Sequence, residues 1–187
     1  MGYLVRTVKA DEWPQIKELR LAALADPIAR IAFNETHERA AAYPDDVWRD
    51  RAERSAIGDG ITTFVGEADD GAPEEGVGRL AGMGVVLVET EEPVPTAHLV
   101  AVYVRPEHRG TGLARQLFGR AIDWSWELET PRIERVRLWV HEENARAEAL
   151  YGRLGFVRTG RSMAGPKQPS ALEYEMTLPR PRHRSWG

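Results

Sequence analysis

A glycine-containing turn holds the residue types most suited to chemistry, Arg109-Gly110-Thr111-Gly112-Leu113-Ala114-Arg115. The apolar run 99–104 before it predicts a buried strand, and the helical spacing of apolar residues after it predicts a helix that opens near Gly112. The first N–H groups of a helix have no intrahelical partner and attract anions, and a glycine without a Cβ lets a phosphate approach the backbone. The turn therefore predicts a phosphate site, to which Arg109 and Arg115 add positive charge.

The elements around this turn follow from the alternation of apolar and polar residues along the chain. They are predicted in the order β-α-α-β-β-β-α-β-α-β-β, which is typical of one α/β domain with a mixed sheet. We expect that domain to span residues 1–178 and a flexible basic tail to span 179–187. Gly82 and Gly84 lie inside the third predicted strand and indicate a bulge or close packing there.

Two blocks of sequence resemble the signatures of one known family. The turn at 109–114 is similar to the Arg-x-x-Gly-x-Ala pyrophosphate loop of the GCN5-related N-acetyltransferase (GNAT) family. The block Asn144–Phe156 resembles that family's second signature, Asn-x-x-Ala-x-x-Leu-Tyr-x-x-x-Gly-Phe, at every fixed position. Either block alone is weak evidence, but both in this order, with one helix and one strand between them, are specific. The resemblance is strong from residue 78 to residue 160 and weak before it.

The resemblance implies a single GNAT-like domain with acetyl-CoA as acyl-donor cosubstrate. In that family the mostly antiparallel sheet splays into a V between strands 4 and 5, and the thioester arm lies in the V. A bulge in strand 4 presents a backbone N–H to the thioester carbonyl, a contact that can be worth ~3 kcal/mol, and Val102 is the expected donor. Asn144 is expected to bond the pantetheine arm, and it also suits a helix cap. The expected cosubstrate-binding residues are Val102, Tyr103, Val104, Arg109, Gly110, Thr111, Gly112, Leu113, Ala114, Arg115 and Asn144.

The acid and the base of the implied reaction have separate candidates. Tyr151 occupies the position of the family's general acid, and a phenol with pKa ~10 stays protonated at neutral pH and can donate to a thiolate. His98, on the strand before the turn, is the candidate general base, because some family members place a catalytic histidine on this strand. The alternative for His98 is a hydrogen-bonded core or edge histidine. Glu89 and Glu35 are weaker candidates for the base, and without any of them water would carry the proton.

The acceptor is expected to be a primary amine that attacks directly in a ternary complex. Phe33, Glu35 and Trp48 lie in the helical region that covers the acceptor end in the resembled family, although core packing of Phe33 and Trp48 and a solvated charge at Glu35 are the favoured explanations. A small molecule is favoured because no extended peptide groove is apparent in the sequence. The alternatives are acetylation of a protein N-terminus or lysine, and a non-catalytic acyl-CoA-binding sensor.

Composition excludes several other classes of function. The chain has 187 residues, and its formal net charge of −4 argues against nucleic-acid binding. It has no cysteine, which excludes thiolate chemistry and disulfides. The five histidines show no metal-ligand spacing, so no metal is expected. Since neither a signal peptide nor a membrane-spanning run is evident, we expect a cytoplasmic protein without a membrane partner. The sequence leaves a homodimer open.

Overall fold

The structure, a computed structural model, describes residues 2–58, 60–69, 80–165 and 167–181. Its strands are β1 Gly2–Thr7, β2 Ile61–Asp69, β3 Leu80–Glu89, β4 Thr96–Val104, β5 Arg135–His141, β6 Val157–Ala164 and β7 Leu172–Pro179. Its α-helices are α1 Trp13–Ala25, α2 Ala29–Ala32, α3 His37–Ala41, α4 Asp45–Ile57, α5 Leu113–Glu127 and α6 Ala145–Arg153. Short 3₁₀ turns lie at Ala10–Glu12 and Pro106–His108.

All seven strands belong to one sheet, in the order β1-β2-β3-β4-β5-β7-β6. Every neighbouring pair is antiparallel except β4 and β5, which run parallel. Parallel neighbours need a crossover connection, and α5 provides it. The predicted fold class, an α/β domain with a mixed and mostly antiparallel sheet, is confirmed.

The sheet has a hydrophobic core on each face. On one face, α5 contributes Leu113, Leu117 and Phe118 to a cluster that also holds Leu138 of β5, with side chains of α6 packed against its edge. On the other face, the helices of the first 57 residues pack on the N-terminal half of the sheet, and Trp48 of α4 is buried there. Because side chains alternate along a strand, β2, β3 and β4 supply residues to both cores.

Two strand glycines bring the turn before α5 close to the sheet. A Cβ on Gly66 of β2 would lie 2.5 Å from Cδ1 of Leu113, the first residue of α5. A Cβ on Gly82 of β3 would lie 2.8 Å from the carbonyl oxygen of Tyr103. The close packing predicted for the glycines of β3 is therefore present at Gly82. The contact between Gly66 and Leu113 sets the distance of the α5 N-terminus from the sheet.

The last strand reaches slightly beyond the predicted end of the domain at residue 178. β7 ends at Pro179, and the Arg180 guanidinium then donates hydrogen bonds to the carbonyl oxygens of Ile133 (2.8 Å) and Trp126 (2.7 Å). Residues 182–187 of the predicted tail lie outside the described residues, so the division into domain and tail stays a prediction. No helix in the described ranges is long and apolar enough to cross a membrane.

Candidate active site

A cavity of about 420 Å³ opens where β4 and β5 separate. The two strands pair only at their beginnings, Thr96–His98 with Arg135–Arg137, and diverge after that. The cavity is lined by residues 98–102 of β4 and 138–141 of β5. The expected V-shaped splay is therefore present, and along it the facing backbone groups of both strands have no partner from the other strand.

The β4 side of the V carries a β-bulge at Ala101. Ala101 has a φ of +53°, and the register with β3 jumps from Val85–Val100 to Met83–Tyr103, so Gly84 faces two residues of β4. The bulge reverses the alternation of side chains, because Leu99 packs in the core beneath α5 whereas Tyr103 packs in the opposite core. Peptide groups at a bulge leave the regular ladder, which suits the expected N–H donor at Val102; that assignment stays a prediction.

Tyr151 reaches the cavity from the face covered by α5. Its ring lies 5.2 Å from the ring of Phe118 and 6.3 Å from that of Phe156, between centroids. Burial raises the pKa of Tyr151 to about 12. No residue in the described ranges hydrogen-bonds its hydroxyl. The phenol is therefore protonated at physiological pH, and its proton is available to a group in the cavity.

His98 reaches the same cavity from the opposite face. It stands beside Arg137 in the parallel pair, and residues in register on neighbouring strands share a face. Its Nδ1 lies 2.9 Å from Oε1 of Glu89. A carboxylate only accepts, so Nδ1 carries the proton and Nε2 keeps a lone pair. Burial lowers the pKa of His98, and the hydrogen bond to Glu89 partly offsets that shift.

A partly buried network of ion pairs holds this histidine in place. Arg137 is 6% exposed, and its guanidinium contacts the second carboxylate oxygen of Glu89. The same guanidinium lies 2.7 Å from Glu92 and 3.5 Å from the fully buried Glu175. The network therefore ties β3 and the loop after it to β5 and β7, directly below the point where β4 and β5 part.

The predicted phosphate turn has open space above it. Gly110 and Gly112 have φ values of +80° and +91°, and a Cβ built on either would meet no atom within 4 Å. The Arg109 guanidinium donates to the carbonyl oxygen of Val104 (3.0 Å) and to Asp26 (2.5 Å), so it braces the turn. The N-terminus of α5 thus presents backbone N–H groups with no side chain above them, a geometry that fits a pyrophosphate. Arg115 is exposed on the first turn of this helix.

Asn144 has the structural role that the sequence also suggested. Its Oδ1 accepts a hydrogen bond from the N–H of Ala147 (3.3 Å) and so caps α6. The cap fixes the start of the helix that carries Tyr151. A contact between Asn144 and the pantetheine arm stays a prediction.

The three residues predicted for the acceptor end separate into two groups. Phe33 and Glu35 line the large cavity, and Glu35 is paired with Arg20 at 3.2 Å. Trp48 is 1% exposed and lines a neighbouring cavity of about 240 Å³, with Glu35 and Arg20 between the two spaces. The structure therefore brings Phe33 and Glu35 to the wall opposite Tyr151, and Trp48 supports that wall from behind.

Sequence reasoning missed two polar residues of the cavity wall, His141 and Glu173. They are neighbours across β5 and β7 and therefore share a face. Glu173 could have been identified from the sequence, because Glu173 and Glu175 lie two residues apart in a mostly apolar strand and so predict a polar face. Burial raises the pKa of the Glu173 carboxyl. Within the described ranges, no three His, Asp or Glu side chains are grouped so that they could hold a metal ion.

Comparison with known proteins connects these features to a family. Residues 23–156 match the acetyltransferase (GNAT) family. The chain is 39% identical over 59 residues to spermidine N(1)-acetyltransferase of Vibrio cholerae (32% of this chain, 33% of that protein). It is 41% identical over 79 residues to mycothiol acetyltransferase of Beutenbergia cavernae (41% of this chain, 26% of that protein). These alignments span only about a third and a quarter of the relatives' lengths.

Solved structures share the fold at low sequence identity. A GNAT-family acetyltransferase from Streptococcus pneumoniae has a TM-score of 0.75 and 17% identity, covering 95% of this chain and 99% of that one. Spermidine N-acetyltransferase from Vibrio cholerae, in complex with CoA and spermine, has a TM-score of 0.70 and 20% identity, covering 95% of both chains. Since the family match spans well over half of the chain and the fold agrees with it, the protein belongs to the acetyltransferase (GNAT) family.

Proposed function

We propose that the protein is an acetyl-CoA-dependent N-acetyltransferase that acylates a primary amine of a small molecule by direct attack in a ternary complex. One observation carries the proposal. A single cavity passes through the splay between β4 and β5, with His98 on one face of the sheet and Tyr151 on the other. A proton acceptor and a proton donor thus stand on opposite sides of one opening, an arrangement suited to acyl transfer from a thioester to an amine.

The donor side of the cavity suits acetyl-CoA, which supplies an activated acyl group when bound. The turn 109–115 would hold the pyrophosphate on the N-terminus of α5, since nothing stands above Gly110 and Gly112. Backbone groups of Val102, Tyr103 and Val104, together with Asn144, would bond the pantetheine arm. The N–H of Val102, beside the bulge, would stabilise negative charge on the carbonyl oxygen.

His98 would act as the general base. An alkyl ammonium has pKa ~10 and cannot attack until it loses a proton. Nε2 of His98 is free to accept that proton, directly or through one water, because Nδ1 is committed to Glu89. The lowered pKa of His98 keeps its ring neutral, so the lone pair is present at physiological pH.

Tyr151 would act as the general acid at the end of the reaction. As the new C–N bond forms, the C–S bond of the thioester would break and CoA would leave as a thiolate, to which the protonated phenol at the cavity wall would donate. The hydroxyl has no competing hydrogen bond in the described part of the chain. Its elevated pKa keeps the phenol protonated, so the hydroxyl would be present as a hydrogen-bond donor to the departing thiolate.

The shape of the acceptor end favours a small molecule over an extended peptide. Lys167, in the loop between β6 and β7, donates to the carbonyl oxygen of Glu35 at 2.6 Å. Arg30 of α2 reaches Gln168 of the same loop at 3.4 Å and Glu143 at 2.8 Å. These contacts join the loop to the helical region and close one side of the acceptor end. A peptide lying across the site would have to break them.

The test measures release of the CoA thiol from acetyl-CoA across a panel of amines, amino acids and short peptides with free N-termini. The proposal expects saturable release with small amines and loss of most of that rate in Tyr151→Phe. Saturation with peptides alone would favour protein acetylation instead. Acetyl-CoA binding without release by any acceptor would favour the sensor.

A further inference from the structure

His141 and Glu173 lie on the acceptor side of the cavity, and the reaction proposed above uses neither. Both side chains line the large cavity and the small space beside it. They are cross-strand neighbours in the register of β5 and β7, with their side chains on the face that also carries His98. No hydrogen bond or ion pair joins them to each other in the described ranges.

His141 offers a hydrogen-bond donor without a partner. The residue is 5% exposed, and its Nδ1 accepts the backbone N–H of Glu143 at 3.2 Å. A nitrogen that accepts cannot carry a proton, so the neutral ring places its proton on Nε2. Nε2 is buried and has no partner. A buried donor left unpaired costs about 1–3 kcal/mol, so a site that keeps one is arranged for an acceptor from outside the chain.

Glu173 offers an acceptor without a partner. Its carboxylate forms no hydrogen bond or ion pair with any described residue, whereas Glu175, two positions along the same face, binds Arg137, Arg161 and Thr159. The basic groups that approach this end of the cavity are engaged elsewhere: Arg20 with Glu35, Arg30 with Glu143, and Lys167 with a carbonyl oxygen. The carboxylate is thus available to a ligand.

The unpaired donor of His141 and the unpaired acceptor of Glu173 together favour a ligand group that can form a hydrogen bond with both. A hydroxyl accepts from the Nε2–H of His141 and donates to Glu173 at the same time. An ammonium satisfies Glu173 but cannot accept from Nε2–H, and a carboxylate satisfies His141 but is repelled by Glu173. We infer that His141 and Glu173 form a subsite for a hydroxyl group of the acceptor, so that the preferred acceptor is an amino alcohol.

This inference rests on the proposed acetyltransferase function and names its substrate class. The experiment compares kcat/KM for three acceptor series of matched chain length: linear ω-amino alcohols, n-alkylamines and α,ω-diamines. At the best chain length, the amino alcohol should exceed the alkylamine by about 10- to 100-fold, the range for a hydrogen bond with a charged partner. The diamine should fall below the amino alcohol.

Variants then test the two side chains. Glu173→Leu and His141→Phe should each bring the amino alcohol down to the level of the alkylamine, with little change for the alkylamine itself. Glu127→Gln, an equal change of charge at the exposed end of α5, should keep the preference. Acetyl-CoA affinity, measured on each variant, shows that the fold is retained.

The outcomes separate the subsite from the proposed function. Equal kcat/KM for amino alcohol and alkylamine, or a preference for the diamine, overturns the hydroxyl subsite while acetyl transfer stands. An unchanged amino-alcohol preference in both Glu173→Leu and His141→Phe also overturns it. Failure of every amine to release thiol overturns the subsite and the proposed function together.

Discussion

Replacing Tyr151 with phenylalanine removes one hydroxyl and keeps the ring. The contacts with Phe118 and Phe156 involve the ring alone, so packing is preserved. The Tyr151 side chain is half-buried and its hydroxyl has no hydrogen-bond partner in the described structure, so removing that hydroxyl should change stability little. We therefore expect the free energy of unfolding to change by less than about 1 kcal/mol and acetyl-CoA affinity to stay the same.

The rate should respond differently from the stability. A hydrogen bond to a charged partner is worth about 1.5–3 kcal/mol, and each 1.36 kcal/mol is a factor of about ten in rate. The thiolate is charged only late in the reaction, so the loss falls on the transition state, and kcat should decrease by about 10- to 100-fold. Because the pKa of Tyr151 is about 12, kcat of the wild type should not fall at basic pH through ionisation of this residue until the pH approaches that value.

The assay is steady-state thiol release at saturating acetyl-CoA, with urea unfolding of the same samples. Tyr174→Phe is the matched control, because Tyr174 lies on β7 but does not line the cavity, and it should leave kcat unchanged. An unaltered kcat in Tyr151→Phe would refute the role of general acid. A fall in acetyl-CoA affinity together with stability would assign Tyr151 to packing.

Three further predictions concern the base, the turn and the ion-pair network. The proposed mechanism uses neutral His98, and burial lowers the pKa of His98 from the usual 6.5, so kcat/KM should rise with pH through a limb below that value. Glu89→Gln removes a charge that raises this pKa, so the limb should move to lower pH. A limb that does not move would show that the His98–Glu89 pair does not control the rate. Gly112→Val should abolish acetyl-CoA binding in a calorimetric titration, because a β-branched residue is strained at a φ of +91° and its side chain would fill the space above the turn. The control Gly119→Ala lies inside α5, where a Cβ would have no atom within 4 Å, and should bind acetyl-CoA normally. Tight binding by Gly112→Val would show that the turn is misassigned. Glu175→Gln should lower the free energy of unfolding by about 3 kcal/mol in urea, because it removes a fully buried carboxylate from Arg137; a loss under 1 kcal/mol would mean that the remaining acids compensate fully.

The turn and the order of elements could be predicted because their signals are local. Gly110 and Gly112 both have a positive φ, a conformation that favours glycine. The spacing of apolar residues changes from that of a strand to that of a helix within a few residues of them. The residues alone predicted the bulge only as a disturbance near Gly82 and Gly84, and the family resemblance implied one in strand 4 beside Val102. Its position at Ala101 depends on the register between β3 and β4, which no short stretch of sequence contains.

The acceptor wall was harder to predict because it is built from distant parts of the chain. His98 could be selected from its strand, but its partner Glu89 comes from the preceding strand, and Arg137 from a strand beyond a crossover helix. His141 and Glu173 become a pair only through the antiparallel register of β5 and β7. Single-residue patterns identify polar positions of this kind, but only tertiary pairing shows which of them are left without a partner.

The ion-pair network beneath the V is an argument for function. Removing two charges from water costs several kcal/mol per ion, and well-packed apolar side chains at such sites are often as stable or more stable. Arg137 nevertheless holds the half-buried Glu89 and the fully buried Glu175 where β4 and β5 are still paired. Its geometry fixes Glu89, Glu89 fixes the tautomer of His98, and the tautomer leaves Nε2 open to the cavity. Apolar side chains below the V would leave His98 without this restraint, so the network is best understood as the element that would position the proposed general base.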